Sequence, residues 1–140
     1  MNLFILDTDT ISLVKGNYPL ITGRIEKVHP NQIAIAVVTV EEMLSGWQAV
    51  LRRPISDVQV ARIYEEIVST VKLASSFSLL PFPVPAIEIY RSLKSSRLNV
   101  GSNDLKIAAI ALYYDATVVT RNLRDFQRVP ALNCVDWSSG

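Results

Sequence analysis

The stretch LFILDTDTIS, residues 3 to 12, decides the reading of the fold. Leu3 to Leu6 is an apolar run too short for a helix, and it stops on the carboxylate of Asp7, as a buried strand does when its C-terminal end meets an acid. Thr8, Asp9 or Thr10 can cap a short helix over ISLVKG, with Gly16 as its stop. A strand that passes through a tight polar turn into a helix is the start of a β–α unit, and the rest of the chain repeats the alternation. Leu20 to Val28 predicts a second helix, with Ile21, Ile25 and Val28 on one face. IAIAVV, residues 33 to 38, is rich in β-branched residues and apolar on both faces, which suits a parallel strand covered on two sides.

From Thr39 the spacing becomes helical, with Val40, Met43, Leu44 and Trp47 three or four apart and Thr39 three residues before Glu42 as in a capping box. Pro54 interrupts. A long helix is predicted from Ser56 or Asp57 to about Ala74, with Val60, Ile63, Ile67 and Val71 as its apolar stripe. FSLLPF gives a short strand. Val84 or Pro85 starts a helix carrying Ile87, Ile89, Tyr90 and Leu93, which Asn99 and Gly101 close and whose polar face holds Arg91, Lys94 and Arg97. Ser102 or Asn103 caps the Ala-rich helix DLKIAAIALYY, ATVVT (116 to 120) is the next strand, RNLRDFQRVP reads as a polar loop, and Asn133 to Val135 as an edge strand. The whole, residues 1–140, reads as a single α/β domain with a mainly parallel sheet.

Composition narrows the chemistry. Hydrophobic residues make up 49% and charged residues 19%, so the chain can bury a core. A formal charge of +1 excludes a generally basic coat for nucleic acid. No apolar run approaches the roughly 20 residues of a membrane span, and MNLFILD meets an acid too early for a signal peptide, so a cytoplasmic protein is expected. One cysteine, Cys134, permits no internal disulfide and no zinc cluster. One histidine, His29 in the loop-like VHPNQ, removes His-pair acid–base chemistry. Cys134 is expected as a buried structural thiol and His29 as an exposed loop residue.

In open parallel sheets ligands bind beyond the carboxyl ends of the strands. That edge receives Asp7, Thr8 and Asp9 after the first strand, Thr39, Glu41 and Glu42 after the second, and Thr120, Asn122 and Asp125 after the fourth, while Asp104 lies in the first turn of the Ala-rich helix. Each acid alone also suits a helix cap or a first-turn charge that complements the macrodipole. Taken together, carboxylates brought to one crevice without a Lys or Arg built into each motif repel one another, and the hard cations Mg²⁺ or Mn²⁺ fit such a donor set.

LFILDTDTISLVKG, VVTVEEMLSG, NVGSNDLKIAAIAL and VVTRNLRDFQRVP, in this order from Leu3 to Trp137, resemble the successive signature blocks of PIN domains, and most of all those of VapC toxins. The resemblance implies a three-layer α/β/α PIN-like fold. It makes Asp7 and Asp104 the main metal ligands, with Glu42 and Asp125 as second-rank members of the catalytic set, and it leaves Glu41 out. Thr8, Thr120 and Asn122 match polar residues that line the site. Two departures stand out: Asp9, where Asn is more usual, and Ala131, where Gly commonly follows the Pro.

The resemblance further implies a Mg²⁺-dependent endoribonuclease that cleaves single-stranded RNA with metal-activated water, leaving a 5′-phosphate and a 3′-hydroxyl. Its partners would be the RNA, a cognate antitoxin whose tail blocks the site, and a second copy in a homodimer. Cationic excess on Arg121, Arg124 and Arg128, or on Arg91, Lys94 and Arg97, could meet the phosphates; Arg121 and Arg124 flank the expected site most closely. Three other readings stay open: a housekeeping PIN nuclease without antitoxin, a catalytically silent PIN-like binding module, and a haloacid-dehalogenase-type phosphatase. LFILDTDT suits the phosphatase, but Ile11 and the lack of a later paired-acid strand do not.

Overall fold

A computed structural model describes residues 2–139. Its elements are β1 (Phe4–Leu6), α1 (Thr8–Lys15), α2 (Pro19–Glu26), β2 (Ile33–Ala36), α3 (Val37–Leu51), α4 (Asp57–Ser75), β3 (Ser78–Leu80), α5 (Val84–Ser95), α6 (Ser102–Tyr114), β4 (Thr117–Val119), α7 (Leu123–Phe126) and β5 (Asn133–Val135), with a 3-10 turn at Pro30–Gln32 before β2. The five strands form one parallel sheet in the order β3-β2-β1-β4-β5. Among the described residues no helix is long and apolar enough to cross a membrane.

Strict alternation along the strands explains why they are apolar throughout. Ile5, Ala34, Ala36 and Val118 face one side, where they join Leu93 of α5 and the buried Leu105, Ile107, Ala108, Ala109, Ile110 and Ala111 of α6. Leu6, Ile33, Ile35 and Val119 face the other, against Ile11, Ile21 and Trp137. Alanines on both the sheet and α6 shorten the distance between them, and α6 is enclosed by sheet, α5 and α3. The result is a three-layer α/β/α arrangement.

Several boundaries differ from the sequence expectations, each for a local reason. β2 ends at Ala36, and Val37 and Val38 already belong to α3; β-branched residues read as strand, but Val38 is buried in the core from the first turn of a helix. Ala36 is the N-cap of α3 with no side-chain bond, so the Thr39–Glu42 capping box does not form, and the buried Thr39 hydroxyl has no partner. On α4 the capping box at Ser56 and Gln59 does form, but the inward face carries Thr70 and Ala74 while Val71 is exposed. Val60, Ile63 and Ile67 of the expected stripe are partly buried, and beside them Lys15 Nζ of α1 donates to Glu66 Oε2 at 2.8 Å and to Thr70 Oγ1 at 3.2 Å. Gly101 replaces Ser102 or Asn103 as the N-cap of α6, and the expected loop after β4 contains the short α7. His29 is exposed, and its Nδ1 accepts from the Asn31 N–H at 3.2 Å; Cys134 is partly rather than fully buried.

Ala131 lies at φ 65°, in the left-handed region where a Cβ is unfavourable. The glycine common at this place therefore answers to a backbone requirement. Ala131→Gly should stabilise the fold by roughly 0.5–1 kcal/mol, the relief of left-handed strain less the greater flexibility of the unfolded chain, read as a raised Tm with unchanged circular dichroism.

Candidate functional site

Asp7 stands where β1 gives way to α1 and is 3% exposed. It is itself the N-cap of α1, a role expected of Thr8, Asp9 or Thr10: its Oδ1 accepts from the Thr10 N–H at 2.8 Å. Its own N–H donates to the Val119 carbonyl at 3.1 Å, and the Thr10 hydroxyl donates to that same carbonyl at 3.0 Å, which ties the turn to β4. Burial pushes the Asp7 carboxyl above its usual range; hydrogen bonding with Thr120 and Thr10 opposes the rise, and the charge of Asp9 adds to it.

Asp104 reaches the same crevice from the first turn of α6. Its carboxyl is pushed up to about 6, first by burial and then by the charges of Asp7, Glu42 and Asp125, against a lowering hydrogen bond with Asn122. Asp104 thus lies in the field of the other three acids singled out in the sequence. The outer two are held by amides: Asn103 Nδ2 donates to Glu42, and Asn122 Nδ2 donates to Asp125 Oδ2 at 2.8 Å. The Asn122 N–H donates to Thr120 Oγ1 at 2.8 Å, so Thr120 orders the turn that carries both Asn122 and Asp125. Asp7, Thr8, Asp9, Ser12, Asp104 and Asn122 line an open cavity of about 430 Å³. Glu42 and Thr8 also border an adjoining apolar groove with Met43, Gly46, Trp47 and Val50.

The arginines are distributed differently from the sequence expectation. Arg121 forms a two-pronged ion pair with Asp9, Nε to Oδ2 at 2.8 Å and Nη2 to Oδ1 at 3.2 Å, which neutralises the extra acid. Arg128 donates to Asp125 Oδ1 at 3.1 Å and to the Asn99 carbonyl at 2.8 Å. The i, i+3 spacing of Asp125 and Arg128 on a helical turn was the available signal for that pair. Arg124 is exposed and has no ion pair among the described residues. Asn103, expected as a cap, and Ser12, which carries no motif signal, both belong to the site: with Gly101 capping α6, the Asn103 side chain is free to bond Glu42, and Ser12 lines the cavity.

The donor set fits a hard divalent cation. It is made of carboxylates, it gathers them where burial and mutual repulsion disfavour their charge, and the arginine that joins them, Arg128, meets only the outermost. Among the described residues no three acidic, histidine or cysteine side chains stand tightly enough together to cage a bare ion. Mg²⁺ ordinarily takes one or two carboxylates and keeps several waters, so Asp7 and Asp104 are the residues that would hold it.

A raised carboxyl pKa destabilises the native protein once the group ionises. Between pH about 4, the unfolded value, and about 6, the folded one, the native state holds a proton the unfolded chain has released, so stability falls as pH rises through that window and stays lower above it. Asp104→Asn should therefore stabilise the protein in EDTA at pH 8 by on the order of 1 kcal/mol, discounted for partial exposure and read as a raised Tm, and flatten the dependence between pH about 4 and 6. Thermal melts of both proteins across that range check it.

A PIN domain family model matches residues 20–132. Ribonuclease VapC1 of Haemophilus influenzae (strain R2866) is 26% identical over 143 aligned positions, covering 97% of this chain and 98% of that protein. The chain also superimposes on VapBC-1 of nontypeable Haemophilus influenzae, TM-score 0.78 at 24% identity over 98% of this chain and 99% of that one. The DNA-bound VapBC of Salmonella typhimurium gives the same TM-score of 0.78 and identity of 24%, again covering 98% of this chain and 99% of that one. The order of motifs, the all-parallel sheet and the family match over most of its length agree: the chain belongs to the PIN domain family and is VapC-like.

Proposed function

We propose that the protein is a Mg²⁺- or Mn²⁺-dependent endoribonuclease that cleaves single-stranded RNA and serves as the cytoplasmic toxin of a toxin–antitoxin pair. The observation that carries the chemistry is the convergence of Asp7, Glu42, Asp104 and Asp125, with Asp104 pushed up to about 6 by burial and by the other three. The likeness to a protein named ribonuclease VapC1, and to chains solved as VapBC complexes, supports the biological role.

In this reading Asp7 and Asp104 are the metal ligands, and Glu42 and Asp125 complete the acidic set. A divalent cation held there supplies charge neutralisation at the scissile phosphodiester and a bound water of lowered pKa. The chain's own residues do the positioning. Asp7 is fixed by its capping bond, and Asp104 by the buried α6. Asn103 and Asn122 orient the outer carboxylates, so their lone pairs face the crevice in fixed directions. Asn122 lines the crevice and offers a hydrogen bond to the RNA, Thr120 holds Asn122 in place, and Thr8 lines the crevice with its hydroxyl oxygen buried. Arg124 is available to a backbone phosphate, whereas Arg121 must first release Asp9. No side-chain nucleophile is required, and attack by water leaves the RNA 2′-hydroxyl outside the reaction.

The antitoxin would approach along the apolar groove beside Glu42, where Met43, Trp47 and Val50 of α3 supply a wall next to the acids. A homodimer completes the proposed assembly. Membership of the PIN family sets aside the phosphatase reading, and retention of all four acids argues against a silent binding module.

Asp104→Asn should lower Mg²⁺-dependent cleavage of an end-labelled single-stranded RNA by about 100-fold or more, and Glu42→Gln by about 10–100-fold, as expected for a supporting acid. EDTA should abolish cleavage by the wild type. Full activity of Asp104→Asn, with the protein folded, would remove the acidic site from the chemistry.

A further inference from the structure

A second charged constellation lies on α5 and α6, away from the acids. Lys94 Nζ and Lys106 Nζ each stand 5.7 Å from the centroid of the Tyr90 ring. The Tyr90 and Ser102 hydroxyls are hydrogen-bonded at 2.8 Å. The hydrogen bond with Ser102, and after it the two ammonium groups, hold the Tyr90 hydroxyl below its ordinary value. Among the described residues neither lysine forms an ion pair with a carboxylate. Two ammonium groups near one ring, neither paired with a carboxylate among the described residues, leave a local positive charge that an anion would neutralise.

We infer that Tyr90, Lys94, Ser102 and Lys106 form a subsite for a backbone phosphate of the RNA strand next to the cleaved bond. This rests on the nuclease reading and adds to it a place where the strand is held. Three features favour a chain phosphate over a free ion. The lysines are on the surface and Lys94 is exposed, so the cluster lies open to a strand passing across it and does not enclose a small ion. Ser102 and Asp104 both belong to the first turn of α6 and point to nearly opposite sides of it, so a strand laid across the N-terminal end of that helix passes both. Of the arginines flanking the acids, Arg121 and Arg128 are already paired, and among the described residues Arg124 is left to meet the phosphates near the cut, so a strand there has room for further cations. Ammonium groups supply the charge, and the two hydroxyls supply directed donors.

The test is fluorescence anisotropy with an end-labelled single-stranded RNA in EDTA, titrated over a range of KCl, with cleavage kinetics in Mg²⁺ alongside. The Lys94→Gln/Lys106→Gln double variant should show a slope of log affinity against log salt shallower by about 0.7, the loss of one single-strand phosphate contact. Its KM should rise while kcat is kept. Tyr90→Phe, which retains both charges, should keep the slope and bind several-fold more weakly. Lys72→Gln on α4 should change neither quantity. An unchanged slope in the double variant, or an equal loss in Lys72→Gln, overturns the subsite while wild-type cleavage leaves the nuclease reading standing. A wild type that neither binds nor cleaves single-stranded RNA overturns both.

Discussion

The structure turns on the burial of one carboxylate. Asp7 ends the central strand of the sheet, is 3% exposed, and among the described residues meets neutral hydrogen-bonding groups, the Thr10 N–H and Thr120, and no cation. A buried charge without a cation is costly, and proteins ordinarily shift its pKa or pair it. Here the pKa is raised, yet the charge is left unpaired. Because β1 lies between β2 and β4, the segments leaving those strands also reach this edge, and they bring Glu42 and Asp125 with them. Topology thus concentrates like charge at the place where the fold is least able to solvate it.

The positive charges are arranged in the opposite sense. Arg121 and Arg128 sit at the rim on Asp9 and Asp125, the first pair about half-exposed and the second about a third. Pairs so exposed contribute little to stability. Their effect is on location: they neutralise the outer acids and keep guanidinium groups out of the inner crevice, so Asp7 and Asp104 remain uncompensated. Asp9, an addition relative to the family pattern, therefore changes the rim more than the interior.

The sheet was legible because its strands are apolar on both faces, and only a parallel sheet covered by two helical layers demands that. The acidic residues were legible because each follows a strand or opens a helix. What failed were readings that relied on a local side-chain rule. Thr39 and Glu42 have capping-box spacing, but the chain enters α3 two residues earlier and leaves Thr39 buried without a partner. Val71 fits the stripe of α4, but the positions buried there are Thr70 and Ala74, and Thr70 meets Lys15 of α1. The pairing of Arg121 with Asp9 and the approach of Lys106 to the Tyr90 ring join residues of different elements, and spacing along one chain carries no sign of either.

The first turn of α6 shows how one local choice distributes roles. With Gly101 as N-cap, Ser102, Asn103 and Asp104 are released from capping, and their directions differ by about 100° per residue. Ser102 meets Tyr90 on α5, Asn103 meets Glu42 on α3, and Asp104 enters the crevice with Asp7. Three neighbouring elements are thus registered against one helical turn. Any rotation of α6 would misplace all three side chains at once, and the alanines that seat it against the sheet leave little room for such a rotation. The tight packing of the Ala-rich helix is therefore what gives the acidic crevice and the Tyr90 cluster a fixed separation.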